Sequence, residues 1–434
     1  MDTVLDLTVE RAVAGGRMLA RHEGAVVLVA GAIPGERVRA RVDRVSRGTT
    51  WATVVDVIDA SPDRRAPRCD PACGGSAYAH VRYERQTGLK GEVVADALRR
   101  IGRLALDAPV RVAASPDAGY RLRARLHVAG HRAGFFREGS HALCDPAPTG
   151  QLLPETLTAV AALIERLDRR VAECAEIVVA ENVRADERVL HLVPRAGARL
   201  DDLVGHLGCP DAVTGVTTER GGLVAIAGRP AVTDAAADVF GPEGPASLRG
   251  AVWSRRPTTF FQGNRYLTGA LVRRVVELAA GERFVDLYAG VGLFAVALAT
   301  RGARGLAVEG DPAGAADLTN NAAPLGDRLK VMSGAVEDAV RLRLDPAPDV
   351  VVVDPPRTGV SPAALAGLVA WRTPLVVYVS CDPATFARDA ARLVAAGYRL
   401  ASIDGFDLFP NTPHVEVVAA FTRAGGADGP RPPQ

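Results

Sequence analysis

The alternation of short apolar segments with helical segments over the last third of this 434-residue chain constrains the fold most strongly. Strands that alternate with helices in this way predict a doubly wound, mostly parallel sheet. Five strands are predicted, at residues 284–288, 305–309, 329–332, 349–353 and 375–380. We therefore expect the C-terminal part of the chain to be an α/β domain.

Two further strands are predicted after these, at residues 399–406 and 415–421, with little room for a helix between them. Such a trailing hairpin is typical of the seven-stranded, Rossmann-like sheet of methyltransferases, and it fits a six-stranded dinucleotide-binding sheet less well. Residues 424–434 are rich in Gly and Pro and predict a flexible tail. The α/β domain is accordingly assigned to residues 251–423.

The chain before this domain shows different patterns. Residues 1–60 contain short alternating segments separated by Gly and Pro, which predicts a small all-β barrel. Residues 61–250 mix helical and strand patterns and are assigned to a central α+β domain. At about 150 residues per domain, the chain is long enough for this division.

Charge composition does not by itself identify a partner. The net charge is +2, and of the 52 basic residues only Lys90 and Lys330 are lysines, which leaves 50 arginines. Genomic base composition explains most of this, because Ala, Gly, Val and Pro are also abundant. Two rows of arginines occupy every second position of a strand, where either solvation or phosphate contact would explain them. The rows are Arg37, Arg39 and Arg41 in the barrel, and Arg121, Arg123 and Arg125 in the central region.

Several classes of protein do not fit the sequence. No apolar run reaches the roughly 18 residues that a membrane span needs, and the N-terminus lacks the basic and apolar regions of a secretory signal. We therefore expect a cytoplasmic protein without membrane contact, and a monomer. Six cysteines in so long a chain do not indicate a disulfide framework, so we expect thiols or metal ligands. They are Cys69, Cys73, Cys144, Cys174, Cys209 and Cys381.

A glycine-rich turn follows the first strand of the C-terminal domain, at residues 286–294 (Asp-Leu-Tyr-Ala-Gly-Val-Gly-Leu-Phe). Glycines let a ligand approach the backbone there, and the helix that follows offers free N–H groups. Glu309 ends the next strand, where an acid can accept hydrogen bonds from ribose hydroxyls. This pattern would serve a nicotinamide nucleotide or S-adenosylmethionine equally well, and a tight turn without any ligand would also satisfy it.

Two motifs follow later strands of the same sheet. Residues 354–357 (Asp-Pro-Pro-Arg) place a carboxylate and a rigid backbone at the crevice, although a simple turn would accept the same residues. Cys381 comes directly after a strand, and Asp382 followed by Pro383 is a good helix start. We expect the helix terminus to raise the thiolate fraction of Cys381. A buried, inert cysteine is the alternative.

The last motif lies at residues 409–416 (Phe-Pro-Asn-Thr-Pro-His-Val-Glu) and leads into the final strand. Glu416 opens a strand that is otherwise apolar, so it is either a charge at the edge of the sheet or a base held at the crevice. Taken alone, the pattern favours the edge charge. His414 is an alternative base, although a loop histidine without an evident partner is more often structural.

Together these motifs resemble, in the same order, the RNA 5-methyluridine methyltransferase family. The likeness includes residues 260–264 (Phe-Phe-Gln-Gly-Asn) and extends through most of the chain. Residues 15–21 and 33–36 look like a TRAM domain, which is an RNA-binding barrel. Residues 120–126 and 134–140 look like the central domain of the family.

The resemblance implies that a methyl group is transferred from S-adenosylmethionine to C5 of a uridine through covalent catalysis. The Cys381 thiolate would add to C6 of the base, and Glu416 would remove the C5 proton as general base. The positions that match the cofactor site of the family are Gln262, Tyr288, Glu309 and Asp354. Leu293 stands where some relatives have an Asn that contacts the ligand. The target base must leave its stack, so we expect an unpaired uridine, in ribosomal rather than transfer RNA by analogy with the TRAM-like barrel.

The sequence departs from the family at the positions of an iron–sulfur cluster. Relatives often hold such a cluster with four cysteines. Cys69 and Cys73 remain, but Ser76 and Thr149 occupy the other two positions. We therefore predict no metal, with a zinc site or a cluster assisted by Cys144 as less favoured alternatives.

Other functions remain open on the sequence alone. A nicotinamide oxidoreductase would use the glycine turn and Glu309, but it leaves Cys381 and Glu416 unexplained. An RNA cytidine-C5 methyltransferase would share the thiolate chemistry, although such enzymes resemble other families. A non-catalytic RNA-binding protein would not need an intact nucleophile and base.

Overall fold

The computed structural model describes residues 3–199, 201–220, 223–242 and 244–423. The predicted tail at residues 424–434 lies outside the described residues. A closed five-stranded barrel, a seven-stranded central sheet and a mostly parallel C-terminal sheet follow one another along the chain. The fold class predicted from the sequence is thereby confirmed.

The N-terminal barrel shows the alternation that its sequence predicts. Its strands are β1 (Val4–Ala12), β2 (Met18–His22), β3 (Ala25–Ala30), β4 (Arg37–Ser46) and β5 (Thr49–Asp59). They are hydrogen-bonded in the closed order β1-β2-β3-β5-β4. On β4, Val38 and Ala40 are fully buried, whereas Arg37, Arg39 and Arg41 are exposed. The first row of arginines therefore faces solvent.

The chain then forms helix α1 (Tyr83–Ala97), which continues as a π-helix at Leu98–Gly102, and the short strand β6 (Val112–Ala113). Sequence patterning assigns these elements to the central region, but they lie against the C-terminal sheet. Val94 and Leu98 share a buried cluster with Phe386 of that domain. Apolar side chains three to four residues apart form a stripe along α1, and burying this stripe draws the helix onto the sheet.

Seven strands form the central sheet, in the order β13-β12-β11-β10-β7-β8-β9. They are β7 (Arg123–Ala129), β8 (Arg132–Phe136), β9 (Leu143–Cys144), β10 (Cys174–Glu181), β11 (Arg188–Pro194), β12 (Gly215–Arg220) and β13 (Leu223–Gly228). Helices α2 (Pro154–Leu167) and α3 (Asp201–Leu207) accompany them. Leu163 of α2 and Val204 of α3 share a buried cluster with Leu126 and Ile177 of the sheet.

A small unit connects the central sheet to the C-terminal domain. It consists of β14 (Val232–Ala235), α4 (Ala236–Phe240) and β15 (Val252–Arg255), and the two strands pair with each other. Trp253 of β15 is fully buried, and its indole N–H donates to the Gly292 carbonyl at 3.3 Å. Short 3-10 helices occur at Ala147–Thr149, Asp168–Glu173, Ala246–Leu248 and Ala323–Arg328.

The C-terminal sheet has the strands that the alternating pattern predicts, with ends that differ by at most two residues. They are β16 (Arg283–Leu287), β17 (Arg304–Glu309), β18 (Leu329–Ser333), β19 (Val350–Val353), β20 (Leu375–Ser380), β21 (Tyr398–Phe406) and β22 (Glu416–Arg423). The helices are α5 (Thr268–Leu278), α6 (Leu293–Arg301), α7 (Pro312–Ala322), α8 (Val336–Ala339), α9 (Pro362–Ala370) and α10 (Pro383–Ala395).

The order of this sheet is β18-β17-β16-β19-β20-β22-β21-β6. Strands β16 to β20 are parallel, whereas β22 runs antiparallel between β20 and β21. The short strand β6 adds an eighth strand through its pairing with β21. Because β22 has a neighbour on each side, it is an interior strand.

The cysteines differ in part from the sequence expectation. Cys73 and Cys144 are joined by a disulfide, although they were expected to be thiols or metal ligands. The bond forms because the fold brings the loop before α1 beside β9, at a Cα–Cα separation of 5.9 Å across 71 residues of sequence. Cys69, Cys174, Cys209 and Cys381 are free. Within the described ranges, no group of three or more His, Cys, Asp or Glu side chains is arranged to hold a metal ion.

None of the helices in the described part of the chain is both long enough and apolar enough to cross a membrane.

Candidate active site

The glycine turn after β16 adopts a backbone that few residue types can adopt. Gly290 and Gly292 have φ angles of +57° and +92°, and even Tyr288 has a φ of +64°. Glu309, at the end of β17, fastens this turn. Its Oε2 accepts a hydrogen bond from the Gly290 N–H at 2.7 Å, and its Oε1 accepts one from the Asp311 N–H at 2.6 Å.

A small cleft opens above this turn. The buried Gln262 donates from its Nε2 to Asp354 Oδ2 at 3.3 Å, which joins one wall of the cleft to the end of β19. The cleft is lined by Phe260, Phe261, Gln262, Tyr288, Ala289, Gly290, Val291, Leu293, Phe294 and Asp354. It therefore combines aromatic and apolar surface with a carboxylate at one end.

Two carboxyl groups near the cleft hold their protons unusually strongly. Burial raises the pKa of Asp354 to about 7. Asp286 is fully buried, and neither of its oxygens has a hydrogen-bond partner among the described residues. Burial and the nearby Asp354 raise its pKa well above the usual range. Sequence reasoning gave Asp286 no role, although an acid at the end of an apolar strand was a visible signal.

Cys381 follows β20 directly and precedes α10. Asp382 caps this helix as predicted, because its side chain accepts hydrogen bonds from the backbone N–H groups of Ala384 and Thr385 at 3.0 and 2.8 Å. In the antiparallel pair of β20 and β22, Ser380 lies opposite Val417. The next residue on each strand is Cys381 on one side and Glu416 on the other, so the register brings these two residues side by side.

The electrostatic environment of Cys381 differs from the sequence expectation. Burial raises the pKa of its thiol to about 11, and the carboxyl groups of Glu416 and Asp354 add to this effect. Arg357 acts in the opposite direction, because its positive charge favours the thiolate. The expected gain in thiolate from the helix terminus is outweighed, because desolvation and two acids disfavour a second negative charge.

Glu416 lies in the interior of the sheet. It is the first residue of β22 and only 4% exposed. The edge charge that its local sequence favoured is therefore wrong, because β22 is enclosed between β20 and β21. Burial and Asp354 raise the pKa of Glu416 well above its ordinary value, and Arg357 opposes this. Glu416 and Asp354 thus compete for ionisation in one enclosed space.

His414 and Arg357 complete this part of the cleft. The Nη2 of Arg357 lies 3.5 Å from His414 Nε2, and the Arg357 carbonyl accepts a hydrogen bond from Thr385 Oγ1 at 3.1 Å. Burial and Arg357 lower the pKa of His414 to about 4, so its imidazole is neutral at pH 7. The His414 ring meets the Phe409 ring edge to face, with centroids 6.1 Å apart. The sequence places Arg357 within the Asp-Pro-Pro-Arg motif but gives no signal of its role.

The residues singled out from the sequence therefore lie at one edge of one sheet. Gln262, Tyr288 and Asp354 line the cleft, and Glu309 supports the turn beneath it. Cys381 and Glu416 lie where Asp354 acts on the pKa of both. The arrangement offers a sulfur nucleophile and a carboxylate base beside a cleft with a carboxylate-rich end.

Comparison with known proteins gives consistent results along the chain. The family model described as tRNA (Uracil-5-)-methyltransferase matches residues 247–424, and the TRAM domain model matches residues 3–55. A protein of Streptomyces coelicolor described as an uncharacterized RNA methyltransferase is 34% identical over 433 residues, which covers 94% of this chain and 91% of that protein. A 23S rRNA (uracil(1939)-C(5))-methyltransferase of Azoarcus sp. is 33% identical over 439 residues, with 94% and 97% of the two chains covered.

Among solved structures, the crystal structure of Pyrococcus abyssi tRNA (uracil-54, C5)-methyltransferase in complex with S-adenosyl-L-homocysteine is similar over 96% of this chain and 99% of that chain. The TM-score is 0.70 at 25% sequence identity.

We predict that replacing Arg357 with Met slows the alkylation of Cys381. Loss of the cation that lowers the thiol pKa leaves less thiolate at pH 8.5, by about tenfold for each pKa unit. Iodoacetamide labelling followed by mass mapping of the peptide that contains Cys381 measures this rate. Arg388→Met is the matched control, since Arg388 lies on α10 and donates to Asp389. Equal slowing in both variants, or none in Arg357→Met, would contradict the prediction.

Proposed function

This chain belongs to the family of RNA uracil-5 methyltransferases, and on that premise we propose that it transfers a methyl group from S-adenosylmethionine to C5 of a uridine in ribosomal RNA. The observation that carries this proposal is the register of β20 and β22, which sets Cys381 beside Glu416. An oxidoreductase has no use for such a pair, and the family excludes that alternative.

The open backbone of the turn and the carboxyl groups of the cleft suit S-adenosylmethionine. A Cβ added at Gly290 would have only the Phe260 carbonyl oxygen near it, at 3.8 Å, so the backbone of the turn is open to a ligand. The unpartnered carboxyl group of Asp286 and the carboxyl group of Asp354 favour a cationic ligand. When bound, S-adenosylmethionine supplies an electrophilic methyl group on a positively charged sulfur.

Four residues are proposed to hold this cofactor: Gln262, Tyr288, Glu309 and Asp354. Each oxygen of Glu309 accepts one backbone N–H, and each retains a lone pair that can accept a ribose hydroxyl. The bond from Gln262 to Asp354 fixes the carboxylate at the end of the cleft. Tyr288 lines the cleft from the end of β16.

Cys381 is proposed as the nucleophile. Its sulfur forms a bond to C6 of the uracil, and the electron pair of the C5–C6 double bond moves toward C5 and the O4 carbonyl, which makes C5 nucleophilic. Arg357 assists, because its guanidinium favours the thiolate form of Cys381. Without such an adduct, C5 of uracil is too weak a nucleophile to accept a methyl group.

Glu416 is proposed as the general base. Once C5 carries the methyl group, a Glu416 oxygen takes the proton from C5, the C5–C6 double bond forms again, and the C6–S bond breaks with its electron pair returning to sulfur. Glu416 must be ionised to act, and its pKa is raised by burial. A cation bound beside Asp354 lowers the pKa of nearby carboxyl groups, so binding of S-adenosylmethionine favours ionised Glu416 before the methyl group is transferred.

The proposed substrate is an unpaired uridine of ribosomal RNA. The relatives that are about one third identical over nearly the whole chain include 23S rRNA enzymes. Transfer RNA is the second candidate, because the Pyrococcus abyssi enzyme of similar fold acts on tRNA. Mass mapping of 5-methyluridine in RNA from cells that lack this chain distinguishes the two, and a missing methyl group in 23S rRNA is the expected result.

We predict that Cys381→Ala and Glu416→Gln each abolish turnover on RNA from such cells. Loss of the nucleophile prevents formation of the covalent adduct, and loss of the base removes a proton transfer that contributes about 10²- to 10⁴-fold. The measurement is incorporation of tritium from S-adenosylmethionine labelled in its methyl group. Cys209→Ala is the control, because Cys209 is a free cysteine of the central domain, and full activity is expected for it. Turnover by Cys381→Ala near the wild-type rate would exclude the proposed chemistry.

We predict that binding of S-adenosylmethionine strengthens with pH through about 7. Below that pH, Asp354 carries a proton that the bound cation must displace, because its pKa is raised to about 7. One linked proton gives about a tenfold rise in affinity between pH 6 and pH 8. Titration calorimetry measures this rise.

S-adenosylhomocysteine, whose sulfur is uncharged, serves as the control ligand and is expected to show a weaker pH dependence. Asp354→Asn keeps the shape of the side chain and should flatten the profile for S-adenosylmethionine. Identical profiles for the two ligands in the wild-type protein would argue against a role for the Asp354 charge.

A further inference from the structure

The connection between β21 and β22, residues 407–415, leads directly into Glu416 and carries Phe409 and His414. Residues from outside the C-terminal domain hold it. Of these, Lys90 of α1 is the most deeply buried charge, with its side chain fully enclosed. Its Nζ forms an ion pair with the Asp407 carboxylate and donates to the Phe409 carbonyl at 3.1 Å.

A buried lysine is unusual in this chain. Only two of its 52 basic residues are lysines, and the other, Lys330, is exposed. Enclosing an ammonium group costs several kcal/mol unless its hydrogen bonds are satisfied. Here the acceptors of the ammonium group are Asp407 and the Phe409 carbonyl, at the start of the connection. The compact ammonium group reaches two acceptors in one enclosed space, where a planar guanidinium would need more room.

Further contacts hold the middle of the same connection. Asn411 has a φ of +65°, and its amide oxygen accepts from Gln86 Nε2 at 2.9 Å and from Arg65 Nη2 at 2.6 Å. Its backbone N–H donates to Gln86 Oε1 at 2.8 Å. The barrel also touches the connection, because a Cβ added at Gly16 would lie 2.9 Å from Pro413 Cγ.

The aromatic side chains of the connection pack between its anchored residues and the site. The Phe409 ring packs edge to face on His414 and on Tyr120, and the Arg121 guanidinium lies 5.5 Å from its centroid. His414 precedes Glu416 by two residues. A shift at Phe409 would therefore displace His414 and the start of β22. Cys381, which the strand register sets beside Glu416, is held separately, between β20 and the capped start of α10.

We propose that Lys90 is a positioning residue that sets the β21–β22 connection so that Glu416 can reach the proton at C5. This inference rests on the proposed function, because it assigns Lys90 to the second half of that reaction. The two halves of the reaction should respond differently to a change at Lys90. Addition of Cys381 to C6 does not depend on Lys90, whereas removal of the C5 proton by Glu416 does.

Two measurements follow the two halves of the reaction separately. Release of tritium from 23S rRNA transcribed with [5-³H]uridine, followed in a single turnover, requires proton removal at C5. Formation of the covalent complex on the same RNA transcribed with 5-fluorouridine, with S-adenosylmethionine present, requires only Cys381 and methyl transfer, because no proton at C5 can be removed. Both are measured at saturating RNA and at equal concentrations of folded enzyme.

Three variants are compared with the wild type. Lys90→Met removes the ammonium group and leaves Asp407 unpaired. The double variant Lys90→Met with Asp407→Leu removes both buried charges, which is often neutral or stabilising, and it decides the result if the single variant does not fold. Arg188→Met is the control for a lost buried ion pair, since Arg188 pairs with Glu181 in the central domain and forms no hydrogen bond or ion pair with the described residues 407–415.

Lys90→Met and the double variant are expected to slow tritium release at least tenfold and to change the rate of covalent complex formation less than threefold. Arg188→Met is expected to lower the melting temperature and leave both rates unchanged. Wild-type tritium release by the double variant, or equal slowing of both steps, would overturn the role of Lys90. A wild-type enzyme that gives neither signal would instead refute the proposed function.

Discussion

The pairing of β22 with β20 is the interaction on which the site depends. Parallel strands bring their carboxyl ends to one edge of a sheet, and in this sheet they deliver the glycine turn, Glu309, Asp354 and Cys381 to that edge. Strand β22 runs the other way, so its first residue, Glu416, reaches the same edge. One reversed strand thus adds a carboxylate beside a thiol that is 35 positions away in the sequence.

Enclosure governs the chemistry of these groups. Burial raises the pKa values of Asp286, Asp354 and Glu416, and it raises that of Cys381 to about 11. Arg357 counters this at Cys381 and Glu416 but leaves the cleft rich in carboxyl groups. A cationic ligand is therefore the partner that such a cleft favours. The same burial makes Glu416 a stronger base once it is ionised, which suits removal of a proton from carbon.

Local patterns in the sequence were sufficient for strands β16 to β22 of the C-terminal sheet and for the Asp382 helix cap, because both depend on neighbours along the chain. They failed where the outcome depends on packing. Glu416 looked like an edge charge, since no local pattern shows that β22 is inserted between two strands. The pKa of Cys381 was expected to fall because the helix start is visible in the sequence, whereas the two acids beside it are not. The Cys73–Cys144 disulfide and the docking of α1 likewise arise from distant contacts.

The proposed reaction requires that Cys381 and Glu416 act in turn on one pyrimidine ring. The most direct measurement is the mass of the peptide that remains linked to RNA after the Glu416→Gln variant is incubated with 23S rRNA and S-adenosylmethionine. With elimination blocked, the predicted product is a nucleotide joined to Cys381 that already carries the added methyl group. A nucleotide joined to another residue, or one joined to Cys381 without the methyl group, would contradict this account.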